Sequence, residues 1–217
     1  MNLSRRELLR AAGAAVGAAA LGRAEAAVRP SQSGMPTRPL GKTGFSASLY
    51  ALGSAEIPGT EEAVRAIHKL IDGGVNYLDT APSYQGTRSE SAIGQVLKSR
   101  RKGVFVATKT LARDADGAYA EVRSSRDRLG IDRIDLLQIH AVNDSGTLDA
   151  VLRQGGAIEG LERARKEGLI RFIGITGHTR PDVILSAITR YPFSTILVPV
   201  SPLDRHQDRA EWVPGDG

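Results

Sequence analysis

The sequence has no cysteine in its 217 residues. That excludes disulfides, thiolate zinc sites, iron–sulfur clusters and a cysteine nucleophile. No apolar run reaches the roughly 18 residues that a membrane-spanning helix needs, so no stable membrane span is expected. Charge of one sign is not in large excess. The 29 Lys and Arg stand against 24 Asp and Glu, and the net +5 is scattered. The densest basic stretch, 98–102, has no aromatics interleaved, which argues against a nucleic-acid partner. What remains is 41% hydrophobic and 24% charged, the composition of a globular protein rather than a disordered one.

The opening residues form a separate piece. Ser4-Arg5-Arg6-Glu7-Leu8-Leu9 precedes an Ala/Gly-rich apolar stretch over 11–21, and Ala24-Glu25-Ala26 closes it. A positive start, a short apolar middle and a small-residue close form the export-signal pattern. The paired arginines resemble the twin-arginine signal. Residues 1–26 are therefore expected to engage the twin-arginine export machinery and to send the protein to the periplasm, or otherwise out of the cytoplasm.

From residue 45 onward two patterns alternate. Short apolar runs at 47–52, 75–78, 104–108, 134–139, 172–175 and 196–200 read as buried parallel strands. Between them lie helical patterns. Ala63, Val64, Ile67, Leu70 and Ile71 share a face that closes at Gly73-Gly74. Ile93, Val96 and Leu97 share another, with Ser89 as its N-cap. Leu161, Ala164 and Leu169 belong to a third that ends near Gly168. Val183, Ile184, Ala187 and Ile188 make a fourth, opened by Thr179 with Pro181 in the first turn. The polar stretch 116–129 is taken as helix from its position and length. Before the first parallel strand, Gly41-Lys42-Thr43-Gly44 reads as the turn of a small hairpin. Strict alternation implies a parallel α/β sheet, either a doubly wound sheet or a (β/α)8 barrel. The first strand leads into Gly53-Ser54-Ala55-Glu56, which lacks G-x-G-x-x-G, and this weakens the doubly wound option.

Chemistry in a parallel barrel collects at the C-terminal strand ends. Strand 2 ends in Asp79-Thr80-Ala81, with Tyr84 five residues after the Asp. Strand 3 ends in Thr108-Lys109, and strand 4 in Gln138-Ile139-His140. An acid, a phenol, an amine and an imidazole thus share one end of three neighbouring strands. Together with Arg38-Pro39-Leu40-Gly41-Lys42-Thr43-Gly44, Gly74-Val75-Asn76-Tyr77-Leu78-Asp79-Thr80-Ala81-Pro82-Ser83-Tyr84, Ser89-Glu90, Asp135-Leu136-Leu137-Gln138-Ile139-His140 and Glu167-Gly168-Leu169-Ile170-Arg171-Phe172-Ile173-Gly174, this set resembles the aldo-keto reductase family over about 36–204.

The resemblance implies a (β/α)8 TIM-type barrel, NADP(H) as hydride carrier, and a catalytic tetrad of Asp79, Tyr84, Lys109 and His140. It places cofactor contacts on Gly53, Asp79, Thr176 and Ser201, and none of these residues is expected to bind a metal. The implied reaction is reduction of a small aldehyde, ketone or sugar carbonyl. Carbonyl reduction needs a hydride at carbon, which the cofactor supplies, and a proton at oxygen, which the protein must supply. A free phenol, with a pKa of about 10, is a poor acid at neutral pH. An ammonium beside it favours the phenolate and eases proton release. Asp79 would hold that ammonium, and His140 would orient the substrate oxygen. Of the other histidines, His68 falls in a helix pattern, His206 in a polar tail, and His178 at the mouth after strand 5.

Two departures stand out. The family's strand-6 Gln and stacking aromatic are replaced by the stretch from Leu197 to Val200. About six strands are also countable where the barrel has eight, in a chain below the roughly 250 residues typical of the fold. The expected organisation is a signal at 1–26, a linker and hairpin at 27–44, a partial barrel at 45–204 and a polar tail at 205–217, with truncation after the sixth strand. Two alternatives stay open. One is a binding module without turnover that self-associates through open sheet edges. The other is an unrelated barrel enzyme that uses Lys109 as a Schiff base.

Overall fold

The structure, a computed structural model, describes residues 29–30 and 34–200. The signal at 1–26, Ser201, His206 and the tail at 205–217 lie outside the described residues. Three short strands open the described part: β1 (Arg29–Pro30), β2 (Pro36–Pro39) and β3 (Ser46–Ser48), antiparallel in the order β1-β2-β3. The expected Gly41–Gly44 turn joins β2 to β3. Six parallel strands follow: β4 (Leu52–Gly53), β5 (Tyr77–Asp79), β6 (Phe105–Thr110), β7 (Ile134–Ile139), β8 (Ile170–Thr176) and β9 (Thr195–Leu197). Their helices are α1 (Glu61–Asp72), α2 (Arg88–Arg100), α3 (Ala115–Leu129), α4 (Ser145–Leu152), α5 (Ala157–Lys166) and α6 (Pro181–Arg190).

Strand order decides between the two expected architectures. The sheet runs β4-β5-β6-β7-β8-β9 without a reversal, and it curls. A doubly wound sheet would reverse its order at a switch point. The fold is thus of the (β/α)8 barrel type, with six strands present among the described residues.

Alternation along each strand sorts the side chains into two layers. Outward residues such as Leu78, Val106, Leu137, Ile139, Ile173 and Ile175 meet Ile67, Ile93, Val96, Val122, Leu161 and Ile184 of the helices in the main core. Inward residues form a second core of Phe105, Ala107 and Leu136, flanked by Tyr77 and Phe172. Leu40 and Phe45, from the β2–β3 hairpin, pack into that inner core from below, with the Phe45 and Phe105 ring centres 4.8 Å apart. Lys42 N–H donates to the Ser194 carbonyl at 2.9 Å, which ties the hairpin to the entry of β9. The barrel base is thereby filled with apolar groups, and polar inward residues are left for the opposite end.

Several expectations need correction. The apolar run 47–52 is not one strand. It spans the end of β3 and the start of β4, and Leu49-Tyr50-Ala51 turns the chain between them. The last strand covers Thr195–Leu197 rather than 196–200. Ser89 does not cap α2. The cap position is Thr87, and Ser89 is fully buried inside the helix, where its hydroxyl donates to the Ser54 carbonyl at 3.0 Å. Thr179 does not open α6. Arg180 is the cap residue and Pro181 the first helical one. Helix α4 has no counterpart among the helical patterns of the sequence. It starts where the Asp144 side chain accepts from Thr147 N–H at 2.8 Å.

Candidate active site

The register of the parallel strands brings the predicted residues to one rim. Asp79 pairs with Ala107, Lys109 with Gln138, and Gln138 with Gly174, so inward side chains two residues apart form stacked layers. Lys109 is 1% exposed and Asp79 9% exposed. The Lys109 ammonium donates to Asp79 Oδ1 and, at 2.9 Å, to the Thr80 carbonyl. It also lies 4.6 Å from the centre of the Tyr84 ring. The other Asp79 oxygen accepts from Gln138 Nε2 at 2.8 Å. A buried ammonium is costly unless paired and hydrogen-bonded. Here two of its three N–H groups are taken, and the remaining side faces the phenol.

His140 follows β7 and meets Tyr84 edge-on, with ring centres 5.9 Å apart and planes at 83°. Its Nδ1 is buried without a hydrogen-bond partner. Burial chiefly, then the nearby Lys109, His178 and Arg113, push its pKa down to about 4. At neutral pH the imidazole is therefore uncharged. His178, half-buried on the loop after β8, is also lowered, by burial and then by Lys109. All four predicted catalytic residues are thus brought together.

Three further residues support the site without standing out in the sequence. Gln138, 1% exposed, holds the back of Asp79. Tyr77, one inward position below Asp79, has its pKa raised by burial first and then by the charge of Asp79 and a hydrogen bond to it. Arg113, after β6, donates to the His140 carbonyl at 2.7 Å. The signal for the first two was strand parity, since Tyr77 and Asp79 share the inward face of β5, as Leu136 and Gln138 do on β7, two residues before His140.

The predicted cofactor residues are spread along the same rim. Gly53 pairs with Asp79 across β4 and β5, and a Cβ there would meet nothing within 4 Å. The buried Thr176 hydroxyl accepts from Ala141 N–H at 2.8 Å and keeps its own hydrogen for donation. Ser201 lies outside the described residues. Leu197, on the inward side of β9, is 43% exposed, and Val200 is 64% exposed. An open glycine edge, a hydroxyl donor and an apolar wall beside the tetrad fit the nicotinamide end of a dinucleotide. Among the described residues no group of His, Asp and Glu side chains is arranged to hold a metal ion.

The geometry can now be set beside known proteins. The family model described as "Aldo/keto reductase family" matches residues 50–213. The chain belongs to the aldo/keto reductase family. It is 34% identical over 194 residues to the uncharacterized oxidoreductase YqkF of Bacillus subtilis, an alignment that takes in 83% of this chain and 60% of that one. It is 32% identical over 179 residues to L-galactose dehydrogenase of Arabidopsis thaliana, with 76% and 55% covered. Among solved structures, the holo form of aldo-keto reductase AKR11C1 from Bacillus halodurans superposes with a TM-score of 0.67 at 30% identity, covering 79% of this chain and 59% of that one. The chain thus spans about half the length of the curated relatives it matches. Relatives of this aldo/keto reductase chain are oxidoreductases, and aldo-keto reductases use NAD(P)H.

Proposed function

We propose that this aldo/keto reductase uses NADP(H) to reduce an aldehyde, ketone or sugar carbonyl, with Tyr84 as the proton donor. The observation that carries the reading is the Asp79–Lys109–Tyr84 stack, a buried ammonium with one side turned to a phenol. The substrate oxygen binds between Tyr84 and His140. Neutral His140 donates a hydrogen bond that orients that oxygen, and Tyr84 transfers its proton to it. Lys109 stabilises the phenolate left behind. Asp79, held by Gln138, keeps the ammonium in place. The nicotinamide, when bound, supplies the hydride to the carbonyl carbon. Gly53, Asp79, Thr176 and Ser201 would hold it, with Leu197 as an apolar face in place of a stacking aromatic. Lys109 is committed to Asp79 as an ammonium, which disfavours Schiff-base chemistry.

Purified protein should oxidise NADPH in the presence of a carbonyl panel that includes aldoses, a choice supported by the L-galactose dehydrogenase relative. Tyr84→Phe should lower kcat by about 10²–10⁴, and an unchanged rate would remove Tyr84 from its role. Residues 1–26 are proposed to direct twin-arginine export. Replacing Arg5 and Arg6 by Lys should then keep the protein in the cytoplasm on fractionation. A second reading draws on β4 and β9, each of which has one hydrogen-bonded neighbour among the described residues. A non-catalytic module that pairs through these edges would appear as a dimer or larger species by light scattering, without NADPH turnover.

A further inference from the structure

We propose that Arg113 is a positioning residue for His140: it fixes the backbone that carries the imidazole and sets a permanent positive charge beside it. Only its catalytic consequence rests on the reductase reading above.

The backbone around His140 makes an abrupt corner. His140 N–H donates to the Thr110 carbonyl at 2.9 Å. The next residue, Ala141, sits at φ +54°, a left-handed conformation that alanine avoids unless held there. Ala141 N–H donates to Thr176 Oγ1 at 2.8 Å and Val142 N–H to the Thr176 carbonyl at 2.9 Å. The carbonyl of His140 itself takes its hydrogen bond from Arg113 Nη2 at 2.7 Å. The corner is thus gripped from the β8 side by Thr176 and from the β6 side by Thr110 and Arg113.

Arg113 is half-buried, forms no ion pair among the described residues, and has Nη1 enclosed without a partner. Burial lowers its pKa, against the pull of Asp144 and Glu121. A guanidinium placed at such cost, with its hydrogen bond spent on one backbone carbonyl, marks that carbonyl as the thing being held. The groups facing the imidazole agree. Lys109 comes from β6, Arg113 from the loop after it and His178 from the loop after β8. Tyr84 presents its ring, and Asp79 on β5 is taken up by Lys109 and Gln138. Protonation would add a positive charge beside Lys109 and Arg113 and leave the buried Nδ1 with no acceptor for an N–H.

Histidine-labelled protein followed by NMR tests the assignment without any turnover. Arg113→Gln removes the charge, whereas Arg113→Lys keeps it on a stem that cannot reproduce the planar fork. In R113Q the His140 imidazole should bind its proton about two- to threefold more tightly than in the wild type. In R113K the titration should stay near that of the wild type. With an active enzyme, kcat/KM should fall about tenfold in R113Q and severalfold in R113K, and the acidic limb of the R113Q profile should move to higher pH. An R113Q imidazole that titrates like the wild type overturns the proposal. If R113Q does not fold, an R113K enzyme with unchanged kcat/KM overturns the positioning role. Protein with no turnover but a shifted R113Q titration refutes the reductase reading and leaves Arg113 in the role assigned here.

Discussion

Lys109 and Tyr84 are joined through the face of a ring. The ammonium lies 4.6 Å from the phenol's centre while Asp79 and the Thr80 carbonyl hold its other N–H groups. The amine can therefore act on Tyr84 without leaving its anchor. It also means that Asp79 and Lys109, as one buried ion pair, are energetically one unit.

That unit has a measurable signature. Lys109→Met leaves a buried carboxylate without its cation, and Asp79→Asn leaves a buried ammonium without its anion. Each should cost about 3–5 kcal/mol of stability in urea unfolding. The double variant should lose clearly less than the two losses added together, because no charge is then stranded. Full additivity would show that the pair is not coupled.

Gly41 turns the hairpin at φ +49°, and a Cβ there would come 2.2 Å from the Ser194 carbonyl oxygen. Gly44, on the same turn at φ +71°, has nothing within 4 Å. Gly41→Ala should therefore destabilise by about 2 kcal/mol or more, and Gly44→Ala by about 1 kcal/mol from backbone strain alone. Thermal unfolding of the two variants side by side separates the collision from the strain.

Stability should fall on mild acidification. His140 has an ordinary pKa of 6.5 and is pushed down to about 4 in the fold, so between these values the unfolded chain binds the proton and the folded one does not. Unfolding free energy should then rise with pH from about 4 to 6.5, the contribution being complete above that window and lost below it. In His140→Gln this part of the slope should disappear. A wild-type slope that persists in the variant would assign it to other groups.

Thr87 holds a left-handed φ of +72° at the head of α2, and its side chain makes no capping bond. A β-branched residue is poorly suited to that region. Thr87→Asn should raise Tm by about 2–4 °C, on the order of 1 kcal/mol. An unchanged or lower Tm would mean that the threonine methyl has packing that offsets the strain.

The strands and the meeting of Asp79, Tyr84, Lys109 and His140 at one rim were legible in the sequence because both leave strong local marks. Runs such as 134–139 are mostly apolar and buried on both faces, and Asp79, Lys109 and His140 each sit where such a run ends. The boundary errors fall where tertiary contact outweighs local pattern. Leu49 and Tyr50 continue an apolar run yet are exposed, because the chain must pass from the hairpin to the barrel there. Ser89 looks like a helix cap but is buried in a hydroxyl cluster with Ser54 and Thr80. Helix α4 is short, and its capping Asp144 follows His140 too closely to stand out as a separate element. The role of Arg113 was hidden because it is exerted on a backbone carbonyl 27 positions away in sequence.

The hairpin under the barrel has a consequence for the chemistry above it. With Leu40 and Phe45 plugging one end against Phe105, Tyr77 and Phe172, solvent is kept from the tetrad on that side. The low polarizability around Asp79 and Lys109, which gives their attraction its strength, is maintained in part by residues that touch neither of them. Loosening the plug would let bulk water weaken the pair from beneath, with Asp79 and Lys109 themselves untouched.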